Sequence, residues 1–336
     1  MNLKKRIASV LCSFAFATTA FTASNPAFAN DDVSIGSVPQ NVSSIIANFA
    51  QACGAFTKYG INAHLVTIEG GSRGMQVLLS DKIQVMQAGL SVIVQSNREG
   101  TELRMVSSNA NSSLFDIYVT KDIKTPADLK GKKFAISSFT AETDIAATLA
   151  LQKWGMTRKD MNIVALGGAG QRLAAQITNQ VAASAYSNPS AEVAHEKGLV
   201  KFLDLSRDGR PWVFDGMVLQ KDYINAHPDT VKRLIEAYTE GEYKALSDDK
   251  WAKGVIAKSF KTDDQAIIDA AYNQWKATVP RDVSVTKEAV ENVINGVDAM
   301  GPKLKTEDPS AYVDTSFTDA LRKEGFFDQV KKEFKQ

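Results

Sequence analysis

Short apolar runs alternate with amphipathic segments along the first two thirds of the chain, as expected for strands and helices in succession. The first series predicts strands at 33–35, 63–68, 83–86, 103–107 and 114–120, and helices at 45–56, 74–79 and 92–97. The second series predicts strands at 134–136, 162–165, 181–185 and 200–203, and helices at 140–154 and 171–178. A further strand is predicted at 212–219, after the second series. Beyond these, a helix at 228–246 begins a tail that is helical throughout.

The two series repeat one plan on either side of a polar connector at 123–133. In each, a helix ends in a polar turn before a strand, with Asp81 in the first copy and Asn179 in the second. Both residues hold the position where a helix ends in the left-handed conformation, which Asn tolerates well and Asp less so. Strands alternating with helices indicate crossover units on mainly parallel sheets. The pattern therefore predicts two α/β lobes with a cleft between them, the strand at 114–120 closing the first unit.

The N-terminus has the features of an export signal. Lys4, Lys5 and Arg6 precede an apolar run at 7–21, and Ala27-Phe28-Ala29 forms a small-x-small cleavage site. Residues 1–29 are predicted to be a signal peptide cleaved after Ala29, which places the mature protein in the periplasm. No later stretch has the roughly 20 apolar residues of a membrane span.

Composition removes several classes of function. The chain has 39 Lys+Arg and 38 Asp+Glu, a formal net charge of +1, which is not the charge of a nucleic-acid-binding protein. Cys53 is the one cysteine outside the signal segment, so an intramolecular disulfide is not expected. The three histidines are scattered without ligand spacing, and no metal site is predicted.

Two glycine-rich loops match catalytic or cofactor motifs in part. The loop at 70–74 has the G-x-S-x-G form of a serine hydrolase with Ser72 as nucleophile, but only one strand–helix unit precedes it. The loop at 168–170 begins a dinucleotide motif whose last position is Leu173 instead of glycine. Both loops are better interpreted as turns whose backbone N–H groups face a ligand at a helix N-terminus.

Hydroxyl and amide side chains recur where strands lead into helices, and neutral donors at helix N-termini suit an anionic or polar ligand. The alternative is that they only cap the helices. Arg73 is the one cation in the first loop, and an arginine fork could bind a carboxylate or sulfonate; Arg172 in the second half is the weaker candidate. Phe139 and Tyr186 could stack on a ligand, although core packing is more common.

Two segments resemble ABC-transporter solute-binding proteins of the sulfonate, nitrate, taurine and thiamine-precursor branch. Residues 49–61 are similar to that family's G-x-F-x-K-x-G-L element, and residues 123–133 to its I-K-x-x-x-D-L-K-G-K-K entry to the second lobe. The resemblance implies a two-lobed periplasmic-binding-protein fold of type II. Each lobe would be a mainly parallel sheet flanked by helices, with residues 30–120 and 210–336 in lobe 1 and 121–209 in lobe 2.

The resemblance also implies a function: capture of a small organic, anionic ligand in the cleft and delivery to a membrane permease, by a monomer without a cofactor. A neutral heterocycle remains open as ligand. An enzyme on the same fold, and a serine hydrolase using Ser72, are the alternatives. By analogy the ligand-binding residues are Val38, Pro39, Gln40, Ser72, Arg73, Ser91, Asn109, Ser137, Ser138, Phe139, Thr140 and Asn188.

Overall fold

The structure is a computed structural model that describes residues 30–38, 42–68, 70–300 and 308–335. The predicted signal peptide and its cleavage site lie outside these residues. The strands of the described part are β1 Asp31–Ser37, β2 Ile61–Thr67, β3 Val85–Ala88, β4 Leu103–Ala110, β5 Asp116–Val119, β6 Lys133–Ile136, β7 Asn162–Ala165, β8 Ala183–Tyr186, β9 Val200–Asp204 and β10 Asp215–Gln220.

Helices cover the crossovers and most of the chain after β10. They are α1 Ile45–Ala52, α2 Ala55–Lys58, α3 Gly71–Leu79, α4 Leu90–Arg98, α5 Glu142–Lys153, α6 Ala169–Ile177, α7 Ser190–Glu196, α8 Lys221–Ala226, α9 Pro228–Ser247, α10 Asp249–Phe260, α11 Gln265–Thr278, α12 Lys287–Asp298, α13 Ser316–Lys323 and α14 Phe326–Glu333. No helix in the described ranges is both long and apolar enough to cross a bilayer.

The strands of the described part form two five-stranded sheets with matching topology. The first has the order β2-β1-β3-β10-β4 and the second β7-β6-β8-β5-β9. In each sheet one strand is antiparallel to both of its neighbours: β10 pairs with β3 and β4, and β5 pairs with β8 and β9. The other pairings, between β1 and its neighbours and between β6 and its neighbours, are parallel. The predicted α/β fold of two mainly parallel lobes is confirmed.

The prediction for the strand at 114–120 was wrong about the lobe to which this strand belongs. The strand expected over 114–120 was assigned to the first unit, but β5 lies in the second sheet between β8 and β9. The chain therefore leaves the first lobe over residues 111–115, and it returns over 205–214. An apolar strand can join either sheet equally well by its sequence, since the partner strands decide the pairing.

Local backbone features follow the sequence closely. Asp81 and Asn179 both have positive φ, 59° and 58°, as expected for the two repeated helix ends. The helix predicted over 45–56 is instead broken between α1 and α2, because Gly54 adopts a φ of 79°. A glycine enters this left-handed conformation without a Cβ penalty, so the chain turns there at low cost.

The C-terminal helices contact both lobes. Helix α9 packs along α1 of the first lobe, and α12 touches α4 of the first lobe and α5 of the second. The buried Trp275 of α11 packs edge-on against Phe49 of α1, with ring centroids 4.9 Å apart. The helical tail thus packs against both lobes.

Candidate ligand-binding cleft

A cavity of about 120 Å³ lies between the lobes, at the edge where the parallel strands of both sheets end. Its apolar wall includes Phe115 and Phe214, a buried edge-to-face pair with centroids 5.0 Å apart. These residues lie on the two connections between the lobes. An engineered cavity of about 150 Å³ holds benzene, so this space suits a ligand of about six non-hydrogen atoms.

Helices α3, α4, α5 and α6 begin at the cavity wall. Their N-cap residues are Gly70, Gly89, Ala141 and Gly168, and all four line the cavity. Glycine and alanine have no side-chain oxygen that could accept from the first N–H groups of a helix. The backbone N–H groups and the positive ends of the helix dipoles are therefore directed at the cavity. Both stabilise a negatively charged group that is bound there.

Glu142 connects the lobes at the cavity wall. It begins α5 in the second lobe, and its Oε1 accepts a hydrogen bond from the backbone N–H of Ser91 in the first lobe at 3.3 Å. Its Oε2 accepts from Trp212 Nε1 at 3.1 Å. A Cβ on Gly89 would lie 2.5 Å from Glu142 Cγ, so the carboxylate occupies a notch that exists because residue 89 is glycine. The structure is a closed arrangement of the lobes.

Burial is the main reason why the pKa of the Glu142 carboxyl rises from 4.5 to about 7. The negative charge of Asp215 acts in the same direction, and the hydrogen bonds from Ser91 and Trp212 act against it. Glu142 in the folded protein therefore holds its proton more tightly than a carboxyl group in water does.

We expect this carboxyl to make the stability of the protein depend on pH. Because its pKa is raised by folding, its contribution is complete below about pH 4.5 and is lost as the pH rises through 7, at most about 3 kcal/mol. Melting temperatures of the wild type and Glu142→Gln, measured between pH 4.5 and 8, check this. As the pH rises over this range, the melting temperature of the variant is expected to fall less than that of the wild type. Identical pH profiles would contradict the prediction.

Arg172 is buried in the second lobe and lines the cavity with only 4% of its surface exposed. Its Nη1 donates to Ser184 Oγ at 2.9 Å and to the Ala185 carbonyl at 2.5 Å, and its Nε donates to the Gly167 carbonyl at 3.2 Å. The guanidinium lies over the ring of Tyr186, 5.2 Å from the centroid. Burial lowers the pKa of Arg172 to about 10, so the group stays charged at neutral pH.

Asp215 forms the opposite wall with a polar network of the first lobe. Its Oδ2 accepts from Ser43 Oγ at 2.8 Å and from Ser44 Oγ at 3.2 Å. Its Oδ1 accepts from Asn109 Nδ2 at 3.3 Å, and the same amide donates to Gln87 Oε1. These donors stabilise a carboxylate that is almost fully buried at the start of β10.

The structure brings together only part of the predicted site. Val38, Ser91 and Ser137 line the cavity. Ser72 and Ser138 meet across the cleft, with hydroxyl oxygens 3.0 Å apart, and Asn109 lies behind Asp215. Pro39 and Gln40 lie outside the described residues.

Four predicted residues take other positions. Arg73 is exposed and does not line the cavity, and Phe139 is 54% exposed. The Thr140 backbone N–H donates to Asp144 of α5, the helix that begins two residues after it. Asn188 donates to Gln274 and Ala270 of α11, which attaches the second lobe to the C-terminal helices.

Three charged residues at the cavity were missed or given less weight by sequence reasoning. Arg172 was judged the weaker of two arginines, and Glu142 and Asp215 were not singled out. Two of them could have been noticed, because Arg172 follows the glycine loop at 168–170 and Glu142 follows the hydroxyl-rich junction at 137–140. Nothing in the local sequence of Asp215 distinguishes it from a strand-end residue on the surface.

The serine-hydrolase motif has no catalytic partner among the described residues. The Ser72 hydroxyl bonds to Ser138, and no described histidine lies within hydrogen-bond distance of it. Within the same ranges, no group of three or more His, Cys, Asp or Glu side chains is arranged to hold a metal ion.

Comparisons with known proteins agree with this architecture. The family model described as NMT1/THI5 like matches residues 41–252, more than half of the chain. None of the curated proteins is significantly similar to the chain in sequence.

Several solved structures share the fold at low sequence identity. The alkanesulfonate-binding protein SsuA from Xanthomonas axonopodis pv. citri, bound to MOPS, is 17% identical, with 85% of this chain and 98% of that chain covered and a TM-score of 0.72. The periplasmic nitrate-binding protein NrtA from Synechocystis PCC 6803 is 13% identical, with 90% and 88% covered and a TM-score of 0.65. The desulfurization enzyme DSZB is 13% identical, with 88% and 99% covered and a TM-score of 0.64. Binding proteins and an enzyme therefore both occur on this fold.

Proposed function

The chain belongs to the NMT1/THI5-like family, and from this premise we propose that it is the solute-binding component of an ABC importer. It captures a small organic anion in the cavity between its lobes and delivers it to a membrane permease. It acts in the periplasm as a monomer after residues 1–29 have been removed. Capture and delivery involve no bond chemistry.

The observation that carries this proposal is the buried charge of Arg172 near the N-terminus of α6, where the N-cap residue Gly168 has no side-chain acceptor. The guanidinium is held by neutral acceptors only, so its charge is not neutralised by a carboxylate within the described residues. A buried unpaired charge is costly, and a bound anion would compensate it. The site therefore favours an anionic group at this end of the cavity.

Hydrogen bonds between the two lobes couple ligand binding to closure of the cleft. The Ser72–Ser138 and Ser91–Glu142 contacts form only when the lobes are closed. A ligand that contacts both walls binds the closed state better than the open state and shifts the population towards it. The permease would then recognise the surface that closure creates.

A ligand screen by thermal shift tests the proposal. The panel contains alkyl sulfonates, nitrate, aliphatic and aromatic carboxylates and pyrimidines. A true ligand at one hundred times its Kd is expected to stabilise the protein by about 2.7 kcal/mol, which raises the melting temperature by several degrees. Small-angle scattering is expected to show a smaller radius of gyration with the ligand. A ligand that binds tightly without compaction would contradict the closing mechanism.

An enzyme on the same fold is the second candidate. DSZB shares the fold, and the raised pKa of Glu142 would suit a general base at the cavity. Mass spectrometry of a ligand after prolonged incubation separates the two functions. Recovery of unchanged ligand supports capture, and a product that forms with wild type but not with Glu142→Gln supports catalysis.

A further inference from the structure

The carboxyl group of Glu142 belongs to the second lobe, but part of the first lobe covers it. Gly89 and Ser91 at the start of α4 contact it, and Trp212 of the returning connection donates to it from another side. A Cβ on Gly89 would lie 2.9 Å from the carboxyl carbon of Glu142, so no water fits between the first lobe and this group. Separation of the lobes would therefore return the carboxyl group to water.

The charges around the cavity do not favour an ionised Glu142. Asp215 faces the same cavity from the first lobe, and its negative charge raises the pKa of the Glu142 carboxyl group. Arg172 is the one lysine or arginine among the described residues that line the cavity. Its guanidinium donates to two carbonyl groups and a hydroxyl group of its own lobe. Closure therefore brings an acidic group of the first lobe towards Glu142 without a matching cation.

Charged side chains on the other elements around α5 are paired with each other or exposed. The pairs are Asp144 with Arg158, Asp116 of β5 with Lys201, Asp298 of α12 with Arg98, and Lys287 with Glu291 on α12, while Lys133 of β6, Arg210 and Glu288 are exposed. Burial also raises the pKa of Asp116, to about 6, but Lys201 lies in the same sheet and moves with it. Glu142 differs from these groups because its surroundings change when the lobes separate.

The first lobe also offers a hydrogen-bond acceptor to a protonated Glu142. Ser91 Oγ is buried next to the carboxyl group and forms no hydrogen bond with any described residue. A protonated carboxyl group has one O–H donor, whereas a carboxylate has none. Protonation thus adds a donor beside a buried oxygen that lacks one, and this contact exists only when the lobes are together.

We propose that closure of the cleft takes up one proton at Glu142, so that an acidic medium favours the closed form and a rising pH favours opening. Proton uptake requires no particular ligand, because the groups that cause it all belong to the protein. Its consequence, capture at lower pH and release at higher pH, rests on the proposed function.

The pKa of the Glu142 carboxyl group sets the pH range of this effect. It is about 7 in the closed structure, chiefly because of burial, and we expect it to return to about 4.5 when the lobes separate. Because the closed form binds the proton more tightly, closure is most favourable below about pH 4.5 and becomes less favourable as the pH rises through 7. Between pH 6 and pH 8 the closing equilibrium constant is expected to fall about tenfold.

A disulfide across the cleft allows a test without a ligand. Ser72→Cys with Ser138→Cys replaces two hydroxyl groups whose oxygens lie 3.0 Å apart on opposite lobes, and Cys53→Ser removes the free thiol of the described residues. In this locked protein Glu142 is expected to titrate near pH 7, measured as the infrared carboxyl band that Glu142→Gln removes. Gly89→Ala without the lock denies the carboxyl group its place in the first lobe, and there the band is expected to titrate near pH 4.5. Equal midpoints overturn the inference.

A second measurement uses no added cysteine. The radius of gyration of the ligand-free wild type, from small-angle scattering, is expected to increase between pH 6 and pH 8. Glu142→Gln, which is neutral at every pH, is expected to keep the smaller radius throughout. Asp116→Asn is the matched control, because it removes another raised carboxyl group of the second lobe, and it is expected to respond like the wild type. A wild-type radius that does not change, or one that changes equally in Glu142→Gln, contradicts proton-linked closure.

Failure of the inference and failure of the proposed function give different results. If the midpoints are equal but a compound of the thermal-shift panel stabilises and compacts the protein, the inference is wrong and the solute-binding function stands. If the midpoints differ but no compound has either effect, and native mass spectrometry finds no ligand retained on purification, proton-linked closure stands and the solute-binding function is wrong.

Discussion

Replacing Gly89 by alanine is expected to weaken ligand binding by about 10- to 100-fold while both lobes remain folded. The added Cβ would lie 2.5 Å from Glu142 Cγ and 2.6 Å from its Oε1, so Glu142 must leave its notch. That movement breaks the bonds from Ser91 and Trp212. A cost of about 1.4 to 2.8 kcal/mol for closure, within the range measured for overpacking, corresponds to this loss of affinity.

The clash in this variant is between the lobes and not within one. Gly89 has a φ of −68° and a ψ of 149°, an extended conformation that alanine adopts freely. The open protein should therefore tolerate the substitution, because Glu142 moves away with the second lobe. Small-angle scattering is expected to show a larger radius of gyration than for the wild type, with or without ligand.

Gly71→Ala is the matched control for this prediction. Gly71 also lines the cavity at the start of a helix, but its added Cβ would come no nearer than 3.8 Å to another atom, Val92 Cγ1. Closure and affinity are expected to stay close to wild type. If Gly89→Ala closes and binds like this control, the notch does not govern closure.

Gly241→Ala is expected to lower the free energy of unfolding by about 2 to 3 kcal/mol, a typical cost of overpacking. Gly241 lies in α9, where the helix crosses α1. An added Cβ would lie 2.4 Å from the backbone nitrogen of Ala50 and 2.7 Å from its Cα. Backbone atoms cannot rotate away as a side chain does, so the two helices would have to separate.

Gly254→Ala in α10 is the control for helix propensity. No atom lies within 4 Å of a Cβ placed on Gly254, and alanine is the better helix former by about 0.5 to 1 kcal/mol. This variant is expected to be slightly more stable than the wild type in denaturant unfolding. A loss of stability in Gly254→Ala, or none in Gly241→Ala, would contradict close packing of α9 on α1 as the cause.

Arg73 and Arg172 show which part of the site the sequence predicted and which part it did not. Arg73 and Arg172 both follow glycine-rich loops, so their local patterns are alike. Arg73 is the third residue of α3 and Arg172 the fourth of α6. One position is about 100° around a helix, and it makes the difference between an exposed side chain and one that lines the cavity. Local sequence does not indicate which direction of a helix faces the other lobe.

The features that were predicted correctly depend on residues that are neighbours along the chain. The alternation of strands and helices predicted both α/β lobes, and the paired turns at Asp81 and Asn179 have the predicted left-handed backbone. Residues 123–133, which carry the resemblance to a known family, lie within the match to the NMT1/THI5-like family model at 41–252. Periodicity, turn chemistry and motifs are local properties, and a linear sequence displays them directly.

The features that join distant parts of the chain could not be predicted before the fold was known. The place of β5 in the second sheet depends on strands far from it in sequence. Glu142 lies in a notch made by a glycine more than fifty residues before it and accepts from Trp212, 70 residues after it. Such contacts arise from the way the lobes meet, and the charges that define the cleft are therefore visible only in the folded chain.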